Sequence, residues 1–243
     1  MGEMMKSKTE AIRDVLSPAC GELSPLQAEQ FLKYYETLVQ WNEVMNLTAI
    51  TDFDGVLVKH FLDSCVASGD LSTGASLIDV GTGAGFPGLP LKIARPDLQV
   101  CLLDALSKRV EFLKETASGL GMSGVHCIHG RAEDFACAGK EGTLRESFDY
   151  AVSRAVAELP VLLEYCLPFV KIGGTFIAYK SGNVDLEISG AAHALSALGG
   201  EVAEVRRFSL PTGDERSLVF VTKVFETPMQ YPRKAGKPTK KPL

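Results

Sequence analysis

The sequence lacks any apolar run long enough to cross a membrane. Its most apolar region, 150–170, is broken by Arg154, Glu158 and Glu164, whereas a spanning helix needs about 20 predominantly apolar residues. It also lacks the apolar core of a signal peptide, and Lys6 stands where a myristoylation signal requires Ser or Thr. The cysteines, Cys20, Cys65, Cys101, Cys127, Cys137 and Cys166, contain no CxxC pair, which argues against a zinc site and a disulfide framework. Of four histidines only His126 and His129 are close, and on a strand that spacing puts them on opposite faces. No internal repeat or low-complexity block is present. These absences lead to the expectation of a cytoplasmic protein with no metal and no membrane partner. The 243 residues, 46% hydrophobic and 23% charged, suffice for one substantial core.

Residues 1 to about 70 read as helical. Ser24-Pro25-Leu26-Gln27 is a capping box with Pro at the first helical position, and Phe31, Leu32, Tyr35, Leu38 and Val39 continue an apolar helical face. A second helix is expected from Thr51 to about Cys65, bringing His60, Asp63 and Ser64 onto one face at i, i+3 and i+4. The plain reading of that face is a hydrated surface. From Ser76 onward, apolar runs at 76–80, 99–103, 125–129, 148–152 and 174–179 alternate with helical stretches near 88–95, 107–120, 158–169 and 185–198. This pattern predicts an α/β fold with a parallel sheet covered on both faces. Consecutive strands at 201–208 and 218–225 predict a C-terminal antiparallel hairpin, giving seven strands. The expected organisation is a helical subdomain over 1–72, an α/β domain over 73–226 and a tail over 227–243.

The most informative stretch is LIDVGTGAGFP, Leu77 to Pro87: an apolar strand ending in an acid, then alternating glycines. Gly81, Gly83 and Gly85 allow backbone angles closed to other residues and a close approach to a ligand. Asp104, at the end of the next apolar run, lies where an acid accepts hydrogen bonds from ribose hydroxyls. Two registers are possible. Gly83, Gly85 and Gly88 give the dinucleotide pattern of a nicotinamide-dependent oxidoreductase. Gly81, Gly83 and Gly85 after Asp79 suit S-adenosylmethionine, whose ammonium and sulfonium tolerate an acid that a pyrophosphate does not. Pro87 is then expected at the first position of the following helix.

The last thirteen residues, YPRKAGKPTKKPL, carry Arg233, Lys234, Lys237, Lys240 and Lys241 with no acid, in a chain of net charge -5. They read either as a solvated tail or as a phosphate-contacting arm.

The segments LIDVGTGAGFPGLPLKIARPD, LLDALSKRVEFL, GRAED, FDYAVSRAVA and YPRKAGKPTKKPL, with NLTAI at 46–50 and HFLDS at 60–64, together resemble the bacterial small-subunit ribosomal RNA guanine-N7 methyltransferases, also called glucose-inhibited division protein B. The resemblance covers nearly the whole chain. It implies a Rossmann-like class I methyltransferase fold with S-adenosyl-L-methionine as cofactor. The substrate it implies is 16S rRNA within a small-subunit particle, and the protein is expected to be a monomer. It places cofactor contacts on Gly81, Phe86, Ala132, Glu133 and Arg154, to which the residue reading adds Gly83, Gly85 and Asp104. Arg154, His60, Asp63 and Ser64 become positioning candidates, and the five tail cations become candidate RNA contacts. For Arg154 the structural alternative is a salt bridge to Glu158. No cysteine follows a proline at the end of the fourth strand, as cytosine C5 methylation needs, and no Asn/Asp-Pro-Pro-aromatic loop is there; the chain has Ser153-Arg154-Ala155-Val156 instead. Attack by guanine N7 requires no general base, so no catalytic dyad or triad is expected. The other functional readings are the oxidoreductase and a non-catalytic RNA-binding ribosome-assembly factor.

Overall fold

The computed structural model describes residues 2–139 and 141–243. Helices α1 (Gly2–Cys20) and α2 (Pro25–Met45) open the chain. The capping box forms as expected: Ser24 Oγ accepts from the Gln27 N–H at 3.3 Å, and Gln27 Oε1 accepts from the Ser24 N–H at 2.9 Å. The next helical segment begins later than expected. Asp52 caps α3 (Phe53–Val56), a π-helical turn spans Leu57–Leu62, and α4 (Asp63–Cys65) completes it. The wider turn changes which side chains share a face.

Seven strands follow, β1 (Ser76–Val80), β2 (Gln99–Asp104), β3 (Val125–His129), β4 (Phe148–Arg154), β5 (Val170–Ser181), β6 (Gly200–Ser209) and β7 (Glu215–Lys223). They form one sheet in the order β3-β2-β1-β4-β5-β7-β6. Strands β1 to β5 are parallel, and β7 is inserted antiparallel between β5 and β6. The helices between them are α5 (Gly88–Ala94), α6 (Ser107–Gly119), α7 (Ala132–Phe135), α8 (Leu159–Cys166), α9 (Asp185–Gly190) and α10 (Ala192–Leu198).

Strand alternation divides the core into two. Leu77, Leu102, Val152 and Ile177 face α1, α2, α5 and α6, packing with Ile12, Leu16, Phe31 and Phe61. Ile78, Leu103, Ala151 and Phe176 face α8 and α10, with Leu162, Cys166 and Leu198. The N-terminal helices thus share a core with the sheet and stand over the C-terminal ends of β1 and β4.

The C-terminal segment packs back onto the second face. Arg145 donates to the carbonyls of Thr227 and, at 2.7 Å, Tyr231. A short helix α11 (Lys237–Lys240) rests on α8, with Pro238 buried. Arg233 binds the fully buried Glu164: its Nε lies 2.9 Å from Oε1, and its backbone N–H reaches the same oxygen at 2.8 Å. Breaking such a pair leaves an uncompensated charge. Glu164→Gln is expected to lower unfolding stability by about 3 kcal/mol in urea titrations and to expose the segment after 226 to limited proteolysis. Unchanged stability together with an uncut tail would show that the pair does not hold the segment.

Candidate active site

The glycine turn sits where β1 ends. Gly81, Gly83 and Gly85 have φ of +73°, +60° and +97°, conformations that glycine adopts without strain. A side-chain carbon at Gly81 would lie 2.7 Å from Val156 and one at Gly85 2.5 Å from Leu89, but at Gly83 it would meet nothing within 4 Å. A side chain at either outer glycine would crowd a neighbouring side chain, and the middle one faces open space. Gly88 serves another purpose: its N–H donates to Asp79 Oδ2 at 2.8 Å, and a side-chain carbon there would meet Leu102 at 2.5 Å. The turn therefore follows the Gly81-Gly83-Gly85 register. Pro87, after a cis Phe86–Pro87 bond, caps α5 rather than opening it, one residue outside its expected place.

Two acids organise the turn. Asp79 is fully buried, and its Oδ2 also accepts from Thr82 Oγ1 at 2.6 Å, while Oδ1 has no partner among the described residues. Burial pushes its pKa up to about 7 despite the bonds from Thr82 and Gly88. Asp104 accepts from the Gly83 N–H through Oδ2 and from the Leu106 N–H through Oδ1, both at 2.9 Å, and Arg109 lies 3.7 Å away. Each oxygen of Asp104 retains accepting capacity for a ligand hydroxyl.

A cavity of about 480 Å³ lies between this turn, Asp104, His60 and the Arg154–Val156 loop. It adjoins a recess of about 200 Å³ at Ala132, Glu133 and Tyr165, with Gly81, Asp104 and Val156 lining both. Gly81, Gly83, Phe86, Asp104, Ala132, Glu133 and Arg154 thus line two adjoining cavities. Gly85 does not line it and turns to Tyr34 and Leu89 instead. The cradle fits a nucleoside-bearing cofactor, with open space at Gly83 and a buried carboxylate beside it. Tyr34, from α2, donates to the Ala84 carbonyl and braces the turn from below.

Arg154 forms the opposite wall. Its Nη1 lies 2.9 Å from Asp63 Oδ2 rather than near Glu158, and its guanidinium sits 4.9 Å from the Phe86 ring centre. Arg216 Nε approaches the other oxygen of Asp63 at 3.3 Å. His60 stacks on Phe86 at 4.6 Å and 26°. Its Nε2 lies 2.8 Å from Thr48 Oγ1, and its Nδ1 lies 3.1 Å from the Lys59 carbonyl and 3.5 Å from Arg154 Nη2. Ser64 is not with these groups: its hydroxyl turns back to the His60 carbonyl at 2.6 Å, and its own carbonyl accepts from Tyr179 at 2.9 Å.

The tail meets the recess at the other end. The Gly236 N–H donates to Glu133 Oε1 at 3.2 Å, and Tyr165, a recess residue, holds Thr239 at 2.8 Å. Lys234, Lys237, Lys240 and Lys241 are exposed, whereas Arg233 is committed to Glu164. Sequence reasoning missed Tyr34 and the pairing of Asp63 with two arginines. Thr48 had a signal in its NLTAI segment.

Burial and the Arg154 charge push the His60 pKa down to about 4 from 6.5. Below pH 6.5 the unfolded chain gains a proton that folded His60 refuses, so acidification toward pH 4 costs stability. Asp79 has the opposite sign: folded, it protonates near pH 7, and unfolded only near 3.8, so the same acidification stabilises. His60→Gln removes the first effect and leaves the second. The stability of this variant relative to the parent is expected to rise by about 2 kcal/mol between pH 7.5 and 5 in urea titrations. A difference independent of pH contradicts this reading of His60.

The family described as GidB, rRNA small subunit methyltransferase G, matches residues 27–219. The chain is 51% identical over 236 residues to the ribosomal RNA small subunit methyltransferase G of Alkaliphilus metalliredigens, covering 94% of this chain and 98% of that one. It is 52% identical over 225 residues to the protein of the same name from Lachnoclostridium phytofermentans, covering 91% and 92%. Among solved structures, P. horikoshii TYW2 in complex with MeSAdo has a TM-score of 0.53 at 12% identity, covering 66% of this chain and 61% of that one. MtNAS in complex with MTA and tNA has a TM-score of 0.50 at 17% identity, covering 92% and 71%. Those two likenesses are of fold, and the sheet order with its inserted antiparallel strand is the Rossmann-like class I methyltransferase arrangement. The matched residues span the glycine turn, Asp104 and the Arg154 loop, and the chain belongs to the rRNA small subunit methyltransferase G family.

Proposed function

We propose that this protein transfers a methyl group from S-adenosyl-L-methionine to N7 of a guanine in 16S rRNA. The observation that carries the reading is the pair of adjoining cavities that together reach from Glu133 past the glycine turn to Arg154, with Gly81, Asp104 and Val156 lining both. In this reading Ala132 and Glu133 meet the adenine, Asp104 holds the ribose, the Gly81–Gly83 backbone admits the methionine portion, and Phe86 and Arg154 bound its far end. The cofactor supplies an electrophilic methyl group. Guanine N7 presents an in-plane lone pair, so the protein's task is alignment, for which well-oriented reactants gain up to about 7–11 kcal/mol. Two features support this. Among the described residues no cysteine lines the cavity at Arg154, and Asp63, the nearest acid, is occupied by two arginines. The oxidoreductase reading draws no support from a Gly88 whose N–H is bonded to Asp79, and the assembly-factor reading does not use the open cavity.

The proposed division of labour assigns residues 1–72 to the wall over the methyl end, 73–226 to the cofactor and 227–243 to RNA. The protein acts as a monomer in the cytoplasm on a small-subunit particle. Incubating it with labelled cofactor and particles from cells lacking the protein, then locating the label by mass spectrometry, tests the reaction. N7-methylguanosine is expected, and label on another base or none at all contradicts it.

Two consequences concern binding. Asp104→Ala is expected to weaken binding of S-adenosylhomocysteine by about 1.5–3 kcal/mol in calorimetry, and unchanged affinity in the folded variant removes Asp104 from the site. Replacing Lys234, Lys237, Lys240 and Lys241 with glutamine is expected to flatten the salt dependence of RNA binding by roughly 2 to 3 log-log units in filter-binding titrations. An unchanged slope means these lysines do not contact phosphates. Arg233 is left in place because Glu164 holds it.

A further inference from the structure

Three spaces lie in a row along the C-terminal ends of the strands. The recess at Glu133 shares Gly81, Asp104 and Val156 with the central cavity, and the central cavity shares His60, Arg154 and Ala155 with a third space of about 340 Å³. The role of this third space rests on the proposed cofactor orientation. With Glu133 and Asp104 at the adenosine end, the transferable methyl group lies toward Arg154, and the third cavity is the space beyond it. Ala155, on the shared wall, holds a left-handed φ of +56°, a conformation that non-glycine residues seldom keep without a surrounding reason.

The charges of this third cavity suit a nucleotide. Lys59, Arg154, Lys180 and Arg216 line it, against Asp63 and Glu187. Most of these are committed elsewhere: Asp63 to two arginines, and Lys59 to Asp214 at 3.0 Å. The Lys180–Glu187 pair is different. Lys180 Nζ lies 2.6 Å from Glu187 Oε2 and donates to the Ala157 carbonyl at 3.0 Å, while the same carboxylate oxygen accepts from the Leu159 N–H at 2.8 Å. An ammonium and a carboxylate are thereby fixed side by side, and among the described residues Oε1 of Glu187 takes no hydrogen bond. Rigidly held donors and acceptors of this kind give specificity rather than bulk affinity.

We propose that the third cavity receives the acceptor guanine and that Lys180 and Glu187 read its edge, the ammonium donating to O6 and the carboxylate accepting from N1–H and the 2-amino group. Guanine presents this acceptor-then-donor order. Adenine presents a 6-amino donor beside an acceptor N1 and has no 2-amino group, so it leaves the carboxylate unpaired. N7 lies on the neighbouring edge of the base, next to O6, and its lone pair is not used when the N1 edge is read. Reading that edge therefore leaves N7 free to face the wall of His60, Arg154 and Ala155, where the methyl group arrives.

The test is an NMR titration of the full protein, saturated with S-adenosylhomocysteine, with GMP, IMP and AMP. IMP differs from GMP only by the missing 2-amino group. The parent is expected to bind GMP about 5- to 10-fold more tightly than IMP, and AMP more weakly still. Glu187→Gln should bring GMP down to the level of IMP, and Lys180→Gln should weaken GMP and IMP together, with S-adenosylhomocysteine affinity unchanged in both as the control for folding. A purely structural pair would weaken all three nucleotides alike. Equal GMP and IMP binding by the parent, no GMP binding, or a GMP preference surviving in Glu187→Gln overturns the inference. N7-methylguanosine formed on particles alongside any of those results would leave the proposed reaction standing and remove only this pocket.

Discussion

The carboxylate of Asp63 is the point on which the site depends. It is buried and belongs to the N-terminal helices, yet it binds Arg154 from the end of β4 and Arg216 from β7. Without it, two guanidinium groups would face each other beside Phe86 in a half-dry space, and burial of unpaired charge is costly. With it, the Arg154 guanidinium lies over Phe86, His60 stacks on the same ring, and the wall between the central and third cavities is fixed. The N-terminal helices are in this sense part of the candidate site. Tyr34 under Ala84 makes the same connection to the glycine turn.

The opposite end of the cavity is closed by a different long-range contact. Glu164 draws Arg233 into α8, and that anchor brings Gly236 onto Glu133 and Thr239 onto Tyr165. The basic tail is then not a free arm. Its anchoring cation is spent inside the protein, while its four lysines remain at the surface. In the proposed reading, RNA on those lysines and cofactor at Glu133 would meet across a few residues, so that the two ends of the proposed reaction share one piece of chain.

Much of the frame was legible because it is written in local patterns. Alternating apolar runs marked the seven strands, Ser24 and Gln27 marked the start of α2, and the glycines with Asp104 marked the turn, since a backbone needing positive φ restricts the residue type. The site's electrostatics were not legible in the same way. Arg154 and Asp63 are 91 residues apart and Arg233 and Glu164 are 69 apart, and nothing in local periodicity pairs such residues. Reading the HFLDS segment as a regular helix put Ser64 beside His60 and Asp63. In the structure the Ser64 hydroxyl instead bonds back to the His60 carbonyl four residues earlier, as serines within helices commonly do. The Lys180–Glu187 pair had no sequence signal because it forms only when β5 and α9 are in place.

If Asp63 and Arg154 hold the methyl end of the site as one unit, removing either should do the damage of removing both. A double-mutant cycle with Asp63→Asn and Arg154→Met, read as methyl transfer to small-subunit particles at saturating cofactor, measures this directly. Strong non-additivity is expected, with the double variant no slower than the worse of the two single variants. Losses that multiply, so that each substitution costs as much in the other's background as in the parent, would mean that the two residues act independently and that Asp63 does not organise the site through Arg154.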